Sequence, residues 1–255
     1  MLFVDTHTHL ADEAFTGEED AAVERAVAAG VTRMLQADTG SADREASYAL
    51  CARHPGVLFP MLGLYPGNVE ENWRDEVDAM MPWLERKPVA IGEIGLEYHY
   101  RPETAELQKA AFKVQLELAR DIDLPVNIHL REATEDFFAV MDDCRGMKLR
   151  GNLHAFSASA EVFERLQRYG DWYVGIGGVL TFKKAHIAED VKRIPLERIL
   201  LETDAPYLAP TPLRGTRNES ANIPLIAAKL AEIKGVSIEE VASVTTRNAE
   251  TLFAI

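Results

Sequence analysis

Short apolar, β-branched runs alternate along this chain with longer stretches whose apolar residues recur every three or four positions. The short runs predict strands over Leu2–Val4, Arg33–Gln36, Val57–Leu62, Val89–Ile91, Val126–Ile128, Leu149–Leu153, Trp172–Val174 and Ile199–Leu201. Between them, segments such as Glu18–Ala29, Asp43–Arg53, Thr104–Ile122, Thr134–Asp143 and Ala160–Tyr169 carry the helical period. Gly30, Gly56 and Gly170 stand where helices should stop, and Pro55, Pro88 and Pro125 punctuate turns before strands. Strand following helix throughout implies a parallel sheet with helical crossovers. Eight strands in 255 residues match the size of a closed (β/α)8 barrel of the TIM type, an α/β fold. An open doubly wound sheet has the same period and is the alternative. No repeat, linker or low-complexity tract interrupts the pattern, so residues 1–255 are expected to form one domain.

Composition changes this picture little. No apolar run approaches the roughly 20 residues that cross a bilayer, and the first ten residues carry no secretory signal. A cytoplasmic protein without a membrane partner is expected. Cys51 and Cys144 sit far apart, in no metal-like spacing, and read as reduced thiols. A net charge of −14 excludes a general nucleic-acid coat, which needs a basic face. The excess acid gathers in runs such as Glu18-Glu19-Asp20 and Asp75-Glu76, the pattern of solvated helix faces.

The chemistry lies at the strand ends. In MLFVDTHTHL, residues two apart on a strand share a face, so His7 and His9 look the same way as the first run ends. GEIGLEYHY sets Glu93 after the fourth strand, and PVNIHLRE sets His129 at the end of the fifth. NLHAFS sets His154 at the end of the sixth, and LLETDAPYLAP sets Asp204 just beyond the last. In a barrel these ends meet on one face, where such folds do chemistry. Each residue alone has an ordinary explanation; Asp204, for example, could cap the next segment. Four of the seven histidines and two isolated carboxylates in the same kind of position together predict a metal site. They exceed what one tetrahedral zinc takes and suit two divalent cations with one carboxylate bridging. Imidazole favours zinc, manganese, nickel or iron, and carboxylate tolerates magnesium.

Taken in order, VDTHTHL, GEIGLEY, PVNIHLREA, LHAFS, GIGGVLTFKKA and LLETDAPYLAPTPLRGTRNES resemble the TatD-type metal-dependent deoxyribonucleases, within the wider amidohydrolase-like barrels. The resemblance runs almost end to end. It implies a (β/α)8 barrel that hydrolyses phosphodiesters from the 3′ end of DNA. Carried over by position, it implies that His7, His9, Glu93 and Asp204 hold one metal. Glu93, His129 and His154 would hold the second, with Glu93 bridging. The chain departs from the family pattern at Tyr65, where histidine is usual, and at Glu97, where aspartate is common. Ala158 and Ser220 depart likewise, in place of the glycine of FSG and the proline of NEP. These positions are expected around the rim, and Tyr65 is expected to meet substrate rather than metal.

A cation pair lowers the pKa of a shared water and clamps attacking and leaving oxygens. The expected nucleophile is therefore a metal-bound hydroxide, with Asp204 as general base and Glu93 as the shared carboxylate. Arg131, Lys183, Arg214 and Arg217 lie in segments that should reach the same rim, where cations stabilise a phosphoryl transition state. Tyr65, Tyr98, Phe156 and Tyr207 could stack a base. The expected partner is a short single-stranded DNA end. Two other classes use the same residues. One is an amide or ester hydrolase such as a deacylase. The other is a non-catalytic protein whose metal is structural and coordinatively closed.

Overall fold

The computed structural model describes residues 1–183 and 185–255. Eight parallel strands form its centre. They are β1 (Phe3–Thr8), β2 (Val31–Gln36), β3 (Leu58–Pro60), β4 (Ile91–Glu97), β5 (Val126–Arg131), β6 (Arg150–Leu153), β7 (Asp171–Ile176) and β8 (Ile199–Leu201). Neighbours pair in chain order, β1-β2-β3 and β4 through β8. Two parallel bridges, Leu62 to Ile91 and Thr8 to Ala205, join these arcs into a ring. At the first seam Gly92 N–H donates to Leu62 O at 2.9 Å. At the second, His9 N–H donates to Ala205 O at 2.8 Å and Asp204 N–H to His7 O at 2.9 Å. The (β/α)8 expectation holds.

Helices α1 (Glu19–Ala28), α2 (Ser41–Arg53), α3 (Trp73–Asp78), α4 (Ala105–Asp121), α5 (Thr134–Asp143), α6 (Ala160–Leu166), α7 (Ile187–Arg193), α8 (Ile223–Lys234) and α9 (Ile238–Phe253) surround the strands. In α4 the buried positions are Gln108, Ala111, Phe112, Gln115, Leu116 and Ala119, the stripe of a helix lying on a sheet. Its two glutamines are buried because they bind backbone. Gln108 Oε1 accepts Glu97 N–H at 2.7 Å, and Gln115 Oε1 accepts Leu64 N–H at 2.8 Å. Helix α4 therefore anchors the end of β4 and the loop that follows β3. Among the described residues no helix is long and apolar enough to cross a membrane. Both cysteines are buried and unpaired.

Four strands differ from expectation in the same way. β1, β4, β5 and β7 run two to six residues beyond the ends of their apolar runs. All six residues of β1 and all seven of β4 are buried, the polar ones included. Polar side chains aimed into the barrel mouth look like loop in sequence but continue the strand. His7, Glu93 and His129 thus stand within strands. The third run is regular only over Leu58–Pro60, and the sixth helix ends at Leu166 in a 3-10 turn over Gln167–Tyr169.

One buried ion pair ties the second and third strands together. Arg44 Nε on α2 donates to Asp38 Oδ2 at 2.7 Å, and the same oxygen accepts Gly63 N–H at 3.1 Å. Both side chains are almost wholly buried. Removing one partner leaves the other charge buried and alone, so Arg44→Met should lower stability by about 3–5 kcal/mol. Denaturant titration measures this, and a loss below about 1 kcal/mol would show that water reaches Asp38.

Candidate metal centre

His7 and His9 project from β1 and its end, Glu93 from β4, His129 from β5, His154 from just past β6, and Asp204 from beyond β8. Close approach of β4 to β5 requires Gly95, at φ +135°, because a Cβ there would overlap the His129 carbonyl. The six side chains meet. His7 Nε2 lies 3.0 Å from His9 Nε2, and Asp204 Oδ1 lies 3.6 and 3.3 Å from the two. Glu93 faces both sides of the cluster. Its Oε2 is 3.6 Å from each of His7 Nε2 and His9 Nε2, while its Oε1 is 2.8 Å from His154 Nε2 and 2.9 Å from His129 Nδ1. Rings of His7 and His154 stack with centroids 3.8 Å apart.

Two groups of donor atoms here are close enough to share an ion, His7–His9–Asp204 and His7–Glu93–His154, each within 4.8 Å. The donor set fits a divalent cation. The nitrogens and oxygens that here share protons can each turn a lone pair to an ion, and imidazole with carboxylate suits zinc, manganese or nickel. Neighbouring groups already bias the protonation states. Burial opposes charge on Glu93, but His154 and His129 outweigh it and hold the carboxyl well below its ordinary range. Burial likewise opposes charge on Asp204, and the hydrogen bond from His9 keeps it lowered. His129 is pushed up to about 9, because Glu93 and Glu97 overcome its burial. His154 falls to about 4, through burial and then the proximity of His7.

The second layer includes residues the sequence pattern does not reveal. His7 Nδ1 lies 2.8 Å from Asn127 Oδ1, and Asn127 Nδ2 donates to Asn152 Oδ1 at 3.2 Å. An amide oxygen only accepts, so His7 carries its proton on Nδ1 and turns Nε2 to the cluster. Glu97, expected at the rim, is instead 1% exposed and lies 2.9 Å from His129 Nε2. Ser220 is also buried, with its hydroxyl donating to Thr8 Oγ1 at 3.4 Å. The reasons differ: Glu97 is the inward-facing last residue of β4, which runs on past its apolar run, whereas Ser220 opens a 3-10 turn over Ser220–Asn222 that packs its hydroxyl against the end of β1.

Above the cluster opens a cavity of about 560 Å³, with His9, Glu93, His129, His154 and Asp204 in its floor. Tyr65 and Arg131 stand in its wall, joined by Tyr100, Asp12 and Asp43. The Arg131 guanidinium lies 4.7 Å from the Tyr100 ring centre. Other expected contacts point elsewhere. Arg217 donates to Glu18, Glu219 and the Ala14 carbonyl, and Arg214 covers Phe182. Lys183 is exposed; neither it nor Arg214 lines the cavity. Tyr98 donates to Asp136, Phe156 is buried, and Tyr207 is on the cavity wall with its hydroxyl on Asp12.

Comparison with known proteins adds the lineage. A family model described as TatD related DNase matches residues 4–254. The chain belongs to the TatD-related DNase family. Within that family it is 36% identical over its whole length to a Bacillus subtilis protein named uncharacterized metal-dependent hydrolase YabD, all of which is covered. It is 34% identical to the 3'-5' ssDNA/RNA exonuclease TatD of Pantoea vagans, over 98% of this chain and 99% of that one. The crystal structure of YjjV, a TatD homolog from Escherichia coli, superposes with a TM-score of 0.91 at 30% identity, covering 99% and 98% of the two chains. This TatD-family chain is thus a metal-dependent hydrolase by family.

Tyr65 stands edge-on to His129, ring centres 5.2 Å apart. Burial, with Glu93 and Glu97 nearby, pushes its phenol up, so it stays neutral. A neutral phenol is not among zinc's usual ligands. Tyr65→Phe should therefore keep full metal content while weakening substrate binding by roughly 0.5–1.5 kcal/mol, one hydrogen bond. Elemental analysis with a binding isotherm checks both halves, and metal loss would make Tyr65 a ligand.

Proposed function

We propose that the chain is a divalent-metal-dependent phosphodiesterase that removes nucleotides from the 3′ end of single-stranded DNA. The observation that carries this reading is a pair of donor groups sharing His7, on the floor of a cavity with an arginine in its wall. The name of the Pantoea vagans relative supports the choice of substrate. His7, His9, Glu93 and Asp204 would hold one cation and Glu93, His129 and His154 a second, the two oxygens of Glu93 facing different imidazoles. Bound divalent cations lower the pKa of water and offset charge on attacking and leaving oxygens.

The protein's own groups do the rest. Asp204, kept ionised beside His9, takes a proton from the attacking water as its oxygen bonds to phosphorus. The bond from phosphorus to the departing strand breaks on the opposite side. Arg131 meets a phosphoryl oxygen with a charge-assisted hydrogen bond, and Tyr100 and Tyr207 offer faces for a terminal base. Buried Gln108 and Asn127 hold the floor still during this exchange.

The decisive experiment offers purified protein single-stranded DNA, RNA and acyl esters with divalent ions. Release of mononucleotides from 3′ ends supports the reading. Acyl cleavage without phosphodiester cleavage would replace it with the deacylase. Charge sets a second expectation. Among the described residues lining the cavity, Arg131 is the one Lys or Arg, and the walls carry Asp12 and Asp43. Side chains then neutralise about one or two phosphates, and log affinity should fall with log salt at a slope of about −0.7 to −1.4. A labelled oligonucleotide titrated across a salt series measures it. A slope beyond about −5 means an extended basic track and overturns end recognition.

A further inference from the structure

Behind His154 two buried polar atoms lack a partner, its own Nδ1 and Glu202 Oε2. Glu202 follows β8 directly and is wholly buried. Its Oε1 lies 3.8 Å from His154 Nδ1 and accepts the N–H of Ala155, a backbone corner at φ +44°. One carboxylate thus grips the peptide after His154 and faces its ring. Room for it depends on Gly175 of β7, where a Cβ would overlap Oε2.

Glu202 belongs to neither donor group, and nothing in the proposed reaction uses it. His154 nevertheless needs what Asn127 gives His7. For Nε2 to present a lone pair to a cation, the ring proton must sit on Nδ1, and something must accept it. No acceptor lies within hydrogen-bond distance of that atom among the described residues, and Glu202 Oε1, at 3.8 Å, is the carboxylate oxygen that faces it.

We propose that Glu202 is the positioning residue of His154. It accepts the Nδ1–H from a position that here stands 3.8 Å away, and so fixes the tautomer that leaves Nε2 free for metal. The inference rests on the metal-site reading above.

The test compares zinc binding by wild type, Glu202→Met and Glu202→Gln, using calorimetry and elemental analysis. Methionine fills the space without accepting a proton, whereas glutamine keeps an oxygen for Ala155 and His154. Glu202→Met should lose 10–100-fold in affinity for the ion held by His154 and keep the ion of His7, His9 and Asp204. Glu202→Gln should lose less. NMR of zinc-loaded wild type should show a hydrogen-bonded Nδ1 proton on His154, absent from Glu202→Met. A folded Glu202→Met that binds both ions as wild type does overturns the proposal. If that variant does not fold, the wild-type spectrum decides, and a missing Nδ1 proton overturns it equally. Wild type that takes up no zinc overturns the metal-site reading and this inference together, a result distinct from unequal variants.

Discussion

Asp204→Asn should cut turnover by about 10²–10⁴-fold, the range typical of losing a general base, with far less effect on substrate binding. Asparagine keeps the shape and one oxygen near His9 but cannot take a proton from water. The loss therefore belongs to the transition state and lowers kcat and kcat/KM together. Measured at saturating divalent ion, so that weaker ligation by the amide is offset by mass action, the comparison isolates the proton. Single-turnover cleavage of an oligonucleotide and its equilibrium binding supply the two numbers. Turnover within about tenfold of wild type, roughly 1.4 kcal/mol, would make Asp204 a spectator.

Glu93→Gln should be the most damaging change for metal. Its two oxygens face different imidazoles, Oε2 toward His7 and His9 and Oε1 toward His129 and His154. An amide offers one oxygen and an N–H₂ that would point donors at a cation. Both ions should be weakened beyond the 10–100-fold that loss of an outer hydrogen-bond partner brings, while His154→Ala weakens one. Metal-to-protein ratios under matched free zinc, with circular dichroism as the folding control, separate the cases. Equal single-ion losses in both variants would refute a shared carboxylate.

The fold and the floor of the cavity were legible for the same reason. A barrel needs eight apolar runs, and His7, Glu93 and His129 interrupt such runs at points where nothing hydrophobic can explain them. Asn127 and Gln108 were not legible. A buried amide that binds backbone or imidazole looks in sequence like any solvated one, and only the partner across the barrel distinguishes them. The cations of the long loops failed differently. Arg217 and Arg214 reach the expected neighbourhood in sequence, but Glu18, Glu219 and Phe182 claim their heads. Which way a long side chain turns is decided by its neighbours in space. Glu202 was hidden by proximity to Asp204 in the same motif, where one carboxylate sufficed to explain the pattern.

The seam between first and last strands has a kinetic meaning. Asp5 accepts the Thr203 hydroxyl at 2.5 Å and its N–H at 3.0 Å across a sequence separation of 198. Closing a loop that long costs on the order of 5 kcal/mol by the logarithmic law, so this contact is expected to form late in folding. His7 and His9 lie on one lip of that seam and Asp204 on the other. An ion held by all three, as proposed above, would act as a clasp across the lips. Where the seam closes after the folding transition state, such a clasp would prolong the lifetime of the folded barrel without hastening its formation.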